Sequence, residues 1–189
     1  MAIEQDTTRK REQTKAKNRA DILEAARSVF IDPGYDAATV RDIVALTGLA
    51  PGTFYNYFPD KRSVLVALIA QANTDAASRT RSARARARTL EELVYAGFRA
   101  YFEFVVSDPT TFALMRRNAS TLRTLGIDET GFATSMAELR EDLEAAVHKG
   151  TLPPVPMQYV TPAVLATAFE IGAVMTASEP PDVEGATVF

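Results

Sequence analysis

The chain has 189 residues, of which 47% are hydrophobic and 24% charged, with a formal net charge of -3 and no cysteine. These are the proportions of a packed globular protein, and the length suits one domain or a small domain fused to a larger one. The lack of cysteine excludes disulfides, thiolate metal sites and cysteine nucleophiles, and the negative balance means that any hold on nucleic acid needs a local concentration of cations.

The N-terminus is polar where a signal peptide has an apolar core, and no uninterrupted apolar run reaches the roughly 18 residues of a membrane helix. A cytoplasmic protein without a membrane partner is the expectation. Between residues 9 and 19 stand Arg9, Lys10, Arg11, Lys15, Lys17 and Arg19, with Glu12 as the only acid. This stretch predicts a flexible basic arm over 1–16, serving either as a contact to DNA or as a solubilising terminus.

Ile22, Ala25, Ala26, Val29 and Phe30 form the apolar stripe of a first helix, which Asp32-Pro33-Gly34 ends. Thr39 and Asp42 have the spacing of a capping box, so a second helix starts there, with Ile43, Val44 and Leu46 on its buried side and Gly48 at its end. Pro51 suits a first helical position, which predicts a third helix from about Pro51 to Phe58 that buries Phe54 and Phe58. After Pro59-Asp60, the residues Leu65, Leu68, Ile69, Ala72 and Ala76 mark a long fourth helix. The arginine-rich run 78–89 has no apolar period and reads as a solvated helix end and loop.

A richer stripe follows in Leu90, Leu93, Val94, Gly97, Phe98, Tyr101, Phe102 and Val105, broken at Asp108-Pro109. A shorter helix carries Phe112, Leu114 and Met115. Another carries Phe132, Met136, Leu139, Leu143 and Val147, and ends at His148-Lys149-Gly150. The last major helix, from Pro162 to about Ser178, is apolar on nearly every side and must be covered all round. A second copy of the chain is expected on its free side, with Ala166, Gly172 and Ala173 small enough for close approach; the alternative is a central helix wrapped by its own domain. Pro180-Pro181-Asp182 reads as a turn and cap before a further apolar spacing, Val183, Ala186 and Phe189. No strand alternation and no repeat appears, so the fold is all-α.

Two short helices joined at Gly48 are the pattern of a helix-turn-helix, whose second helix enters the major groove. Pro51, Gly52 and Thr53 would leave the backbone close to the groove floor, and Asn56 carries an amide that can pair with a base edge. Tyr55 and Tyr57 offer hydroxyls, and Lys61 can reach a phosphate. Each has a plain structural alternative: Thr39 as a cap, Tyr57 as core, Asn56 as a solvated polar residue. Their joint placement is what gives the motif its specificity.

The run TVRDIVALTGLAPGTFYNYFPDKRSVL resembles the N-terminal domain of TetR-family transcriptional regulators over roughly residues 17 to 70, with GTFYNYFPDK as its most specific part. The resemblance implies that Thr39 and Arg41 touch phosphate and sometimes a base. It implies base reading by Pro51, Gly52, Thr53 and Asn56, and phosphate contacts by Tyr55, Tyr57 and Lys61. Val44 and Thr47 depart from a frequent alanine, and Ala50 from a frequent serine cap that contributes about 1 kcal/mol. The resemblance further implies a three-helix helix-turn-helix domain (17–70) joined by a long helix to an all-α ligand-binding and dimerisation domain (71–189). That second domain would bind a small-molecule effector, dimerise through its last two helices and close with a full final helix.

For the effector site, Phe98, Tyr101, Phe102, Phe112, Met115, Phe132 and Met136 form an apolar, partly aromatic set suited to a lipophilic molecule, or simply to a core. Arg116, Arg117 and Arg123 are candidates for an acidic effector or for solvated surface. The single histidine, His148, stabilises a helix end, and no metal site, cofactor fingerprint or nucleophile-base pair is present in the sequence, so no cofactor and no enzyme is expected. The leading expectation is a homodimeric repressor released from a palindromic operator by its effector. The rival is a helical ligand-binding or enzymatic domain with an inert helix-turn-helix.

Overall fold

The computed structural model describes residues 2–119 and 132–188, with side chains from Thr7 onward. Arg123 and Phe189 lie outside the described residues. Among those described, all regular structure is helical. The helices are α1 (Ala2–Val29), α2 (Val40–Thr47), α3 (Pro51–Phe54), α4 (Lys61–Arg84), α5 (Leu90–Ser107), α6 (Pro109–Arg117), α7 (Phe132–His148), α8 (Met157–Met175) and α9 (Val183–Thr187). The chain divides into two compact units, Met1–Leu68 and Ile69–Phe189, and α4 belongs to both.

In the first unit α1 buries Ile22, Leu23, Ala25, Ala26 and Val29, and a wide turn over Phe30–Gly34 kinks at Asp32. Gly34 follows at φ 106°, a backbone region that L side chains rarely adopt. The basic arm is a correction, because residues 2–16 are the first turns of α1 and not an unstructured tail. No glycine or proline interrupts the chain from Ala2 to Val29, and Lys17 pairs with Asp21 one turn on.

Helix α2 opens with the expected box: Asp42 N–H donates to Thr39 Oγ1, and Thr39 N–H donates to Asp42 Oδ2. Gly48, at φ 66°, closes it. Leu46 departs from expectation at 63% exposed. It lies roughly 110° round the helix from the midline between the buried Ile43 and Val44, so it faces away from the core. Helix α3 is shorter than expected: after Phe54 the chain tightens, with Asn56 N–H donating to Thr53 O and Tyr57 N–H to Phe54 O. Phe54 and Phe58 are nonetheless both buried, their ring centroids 6.2 Å apart. Ala50 offers no side-chain cap to α3, and Pro51 takes the first helical position.

In the second unit, one core gathers Ala72, Ala76, Phe98, Phe102, Phe104, Val105 and Phe112 with Ala168 and Met175 of α8. A smaller one joins Leu93, Leu139, Leu143, Ala146 and Leu152. Helix α8 begins five residues earlier than expected, at Met157, and carries Pro162 inside its second turn. Two of its small residues also face differently from expectation. A Cβ on Gly172 would stand 3.2 Å from Phe112 Cζ, and Ala173 packs on the same core, so both serve the unit's own packing. Ala166 alone of the three is exposed, on one side of α8 with Tyr159, Ala163, Thr167 and Val174, and it borders the cavity of this unit together with Glu170. Asp182 caps α9 through Gly185 N–H, as its sequence position suggests.

Candidate DNA-reading surface and ligand cavity

In the first unit, Pro51, Gly52, Tyr55 and Asn56 are exposed and Thr53 is half-buried, so the start of α3 and the turn after it present the expected set outward. Tyr55 is 59% exposed, while its ring meets the buried Phe54 edge-on. Arg41 is exposed on the first turn of α2. Thr39 serves the cap: its hydroxyl donates to Asp42 Oδ2 at 2.7 Å. Those bonds, the hydroxyl's first, hold the Asp42 carboxyl below its ordinary range. Tyr57 is half-buried, and its hydroxyl accepts from Asn18 Nδ2 at 3.1 Å, which ties the end of α3 to α1.

Lys61 is engaged within the unit. Its ammonium donates to the carbonyls of Tyr35, Asp36 and Ala38 at 2.8, 3.0 and 2.9 Å, and it lies 4.7 Å from the Tyr35 ring centroid. An ammonium has three N–H donors, and all three are used inside the unit. Lys61 therefore fastens the start of α4 to the loop before α2, and a phosphate contact would have to break that clasp. Asp60 and Ser63 cap the same helix reciprocally. Lys61→Met is expected to lower the stability of this unit by about 1 to 2 kcal/mol, since three partly solvated carbonyls lose a charged donor. Urea unfolding checks this. A salt slope for DNA binding that falls by about one at unchanged stability would instead assign Lys61 to phosphate.

Beside Asn56 and Tyr57 the helical N-terminal segment forms a groove of about 570 Å³ with Thr7, Lys10, Arg11, Thr14 and Lys15. Sequence reasoning singled out these cations but not their register. Helical spacing puts Lys10, Arg11 and Lys15 on the side of α1 that faces the α3 turn.

The second unit contains a cavity of about 520 Å³ lined mainly by apolar groups of α4, α5, α7 and α8. Of the expected ligand residues, Phe98, Tyr101, Met115 and Phe132 line it. Phe102 and Phe112 do not: they are 0% and 3% exposed and belong to the core. Met136 lies off the cavity as well, on a half-buried face of α7. Ile69, Thr80, Arg84, Leu93, Val164 and Phe169 are lining residues that the aromatic stripes did not indicate.

The arginine-rich end of α4 is also corrected. Arg84 is only 11% exposed and donates through Nε and Nη2 to Asp142 Oδ2, while Arg81 meets Glu138, Glu141 and Asp142. Acids one turn apart on α7 supply the pairing that a local reading of 78–89 could not see. His148 Nδ1 lies 2.7 Å from Glu144 O at the end of α7. No cluster of metal-ligating side chains occurs among the described residues, and none of the described helices is long and apolar enough to cross a membrane.

A helix-turn-helix unit is thus followed by a helical unit with an apolar cavity of its own. Residues 22–68 match the family described as bacterial regulatory proteins, tetR family, so this part of the chain is similar to the DNA-binding domain of that family. It is 42% identical over 51 residues to the HTH-type transcriptional repressor AcnR of Corynebacterium glutamicum, a match covering 27% of each chain. It is 36% identical over 70 residues to the HTH-type transcriptional regulator UidR of Escherichia coli, covering 36% of each. The match thus spans about a third or less of these relatives. The fold extends further. A TetR-family protein from Syntrophomonas wolfei superposes with TM-score 0.76 at 24% identity, over 92% of this chain and 90% of that one. FadR of Bacillus subtilis, solved with stearoyl-CoA, gives 0.72 at 17% identity over 89% and 95%.

Proposed function

We propose that the protein is a cytoplasmic, homodimeric repressor that binds a palindromic operator and leaves it when the second unit takes up a small, lipophilic effector. The observation that carries this reading is the exposed set Gly52, Tyr55 and Asn56, with the half-buried Thr53, beside a groove lined by Lys10, Arg11 and Lys15. Polar groups able to read base edges adjoin cations able to meet phosphate, in a chain whose net charge is negative. The outward face of α8, with Tyr159 and Val174 67% and 73% exposed around Ala166, supports pairing with a second copy. Two recognition helices related by a two-fold axis would meet half-sites about one helical turn apart. Helix α4 belongs to both units, which supports it as the carrier of the effector's signal.

Effector-driven release needs only that the ligand favour a conformation that holds DNA less well, with no reaction on the ligand. The test is electrophoretic mobility of the promoter DNA upstream of the protein's own coding region, with and without competitor DNA. Asn56→Ala is expected to cost about 1 to 3 kcal/mol and to relax selectivity at one base pair of each half-site. No sequence-specific complex under any condition would overturn the proposal.

A further inference from the structure

Among the described residues, the cavity lining holds one cation, Arg84, and two acids, Glu138 and Glu170. Arg84 is already committed to Asp142, with hydrogen bonds of 3.2 and 2.7 Å to one carboxylate oxygen and both side chains largely buried. Arg81 extends the cluster to Glu138 and Glu141, so three carboxylates stand against two guanidinium groups. An anion entering beside this cluster gives up its hydration and meets a net negative charge, with no unpaired cation among the described lining residues to receive it.

Tyr101 supplies the complementary observation. It lines the cavity, and its hydroxyl makes no hydrogen bond to any described residue. Burial pushes its phenol well above the ordinary range, so it stays protonated and remains a donor. A cavity-facing O–H that bonds to no described residue can donate to a ligand oxygen. The rest of the wall is mainly apolar, with Ile69, Leu93, Phe98 and Phe169, and carries Asn73, Thr80 and Ser135 as its other polar groups.

We infer that the cavity binds an uncharged, mainly apolar molecule carrying a hydrogen-bond acceptor such as an ester or ketone oxygen, received by Tyr101, and that it disfavours carboxylates and acyl-CoA thioesters. The inference rests on the proposed effector role of this unit and names the effector's chemical class.

Calorimetric titration of the full-length protein with methyl decanoate, decanoate and decanoyl-CoA tests it. The ester is expected to bind at least about tenfold more tightly than either anion. Tyr101→Phe should weaken the ester about fivefold, the amount expected of one neutral hydrogen bond. Asp142→Asn, which releases Arg84, should raise decanoate affinity about tenfold and leave the ester within about twofold. Should that variant fail to fold, Tyr101→Phe and the wild-type ranking decide alone. Decanoate or decanoyl-CoA binding as tightly as the ester, no binding by any of the three, or an ester affinity indifferent to Tyr101→Phe would each overturn the inference. Mobility shift of operator DNA separates the two readings. An ester that binds without changing DNA affinity leaves the ligand class intact and removes effector-driven release, whereas DNA release by decanoate alone does the opposite.

Discussion

Replacing Lys10, Arg11 and Lys15 together with glutamine is expected to weaken operator binding about a hundredfold near physiological salt and to flatten its salt dependence by about 2.7 in slope, at roughly 0.9 per lost phosphate contact. With a net charge of -3 the protein as a whole does not attract DNA, so the electrostatic part of binding must come from cations that stand next to the reading surface. Of the six basic residues between Arg9 and Arg19, two have local work: Lys17 lies 2.6 Å from Asp21, and the Arg19 guanidinium lies 5.2 Å from the Phe58 ring centroid. Lys10, Arg11 and Lys15 line one groove with Asn56 and Tyr57. Glutamine keeps helix propensity close to that of lysine and arginine, so the helical segment persists and only charge is removed. The loss should be nearly the same on operator and on unrelated duplex, because phosphate contacts carry no sequence information. An unchanged slope would assign these cations to solvent and shift the search for phosphate contacts to Arg41 and Tyr55.

What could be read from the sequence was whatever has a local cause. The box of Thr39 and Asp42, the left-handed Gly48 and the paired Phe54 and Phe58 each depend on residues within a turn of one another, and all stand as their spacing implies. The helical state of residues 2–16 was not legible in the same way, because a helix with no apolar face has the same charge pattern as a disordered arm; the available sign was the absence of glycine and proline. Lys61 and Arg84 escaped for another reason. Their partners, the carbonyls of residues 35, 36 and 38 and the carboxylate of Asp142, lie more than twenty and more than fifty residues away along the chain. Within the second unit, periodicity correctly grouped Tyr101 with Phe102 on one helix. It could not say that the first meets a cavity and the second a filled core, since a stripe defines a face and not what stands opposite it.

That distinction has a measurable consequence at Phe102. Its ring is fully buried, 5.9 Å from both the Phe98 and the Tyr101 ring centroids, and it lies outside the cavity wall. Phe102→Ala is expected to destabilise the protein by about 3 to 5 kcal/mol, the loss of apolar transfer together with the void left in a core that relaxes only in part. Single domains have stabilities of only about 5 to 15 kcal/mol, so the second unit would sit near its unfolding threshold. Helical circular dichroism during thermal and urea unfolding measures the loss. Phe102→Leu, which fills most of the space, should recover more than half of it and give a folded protein for binding experiments. Ligand affinity of that leucine variant should match the wild type, because nothing touching the ligand has changed, whereas Met115→Ala, on the cavity wall, should alter affinity at little cost in stability. If Phe102→Leu instead loses ligand while keeping its unfolding midpoint, the ring belongs to the binding site after all, and the cavity extends through what is packed core in the free protein.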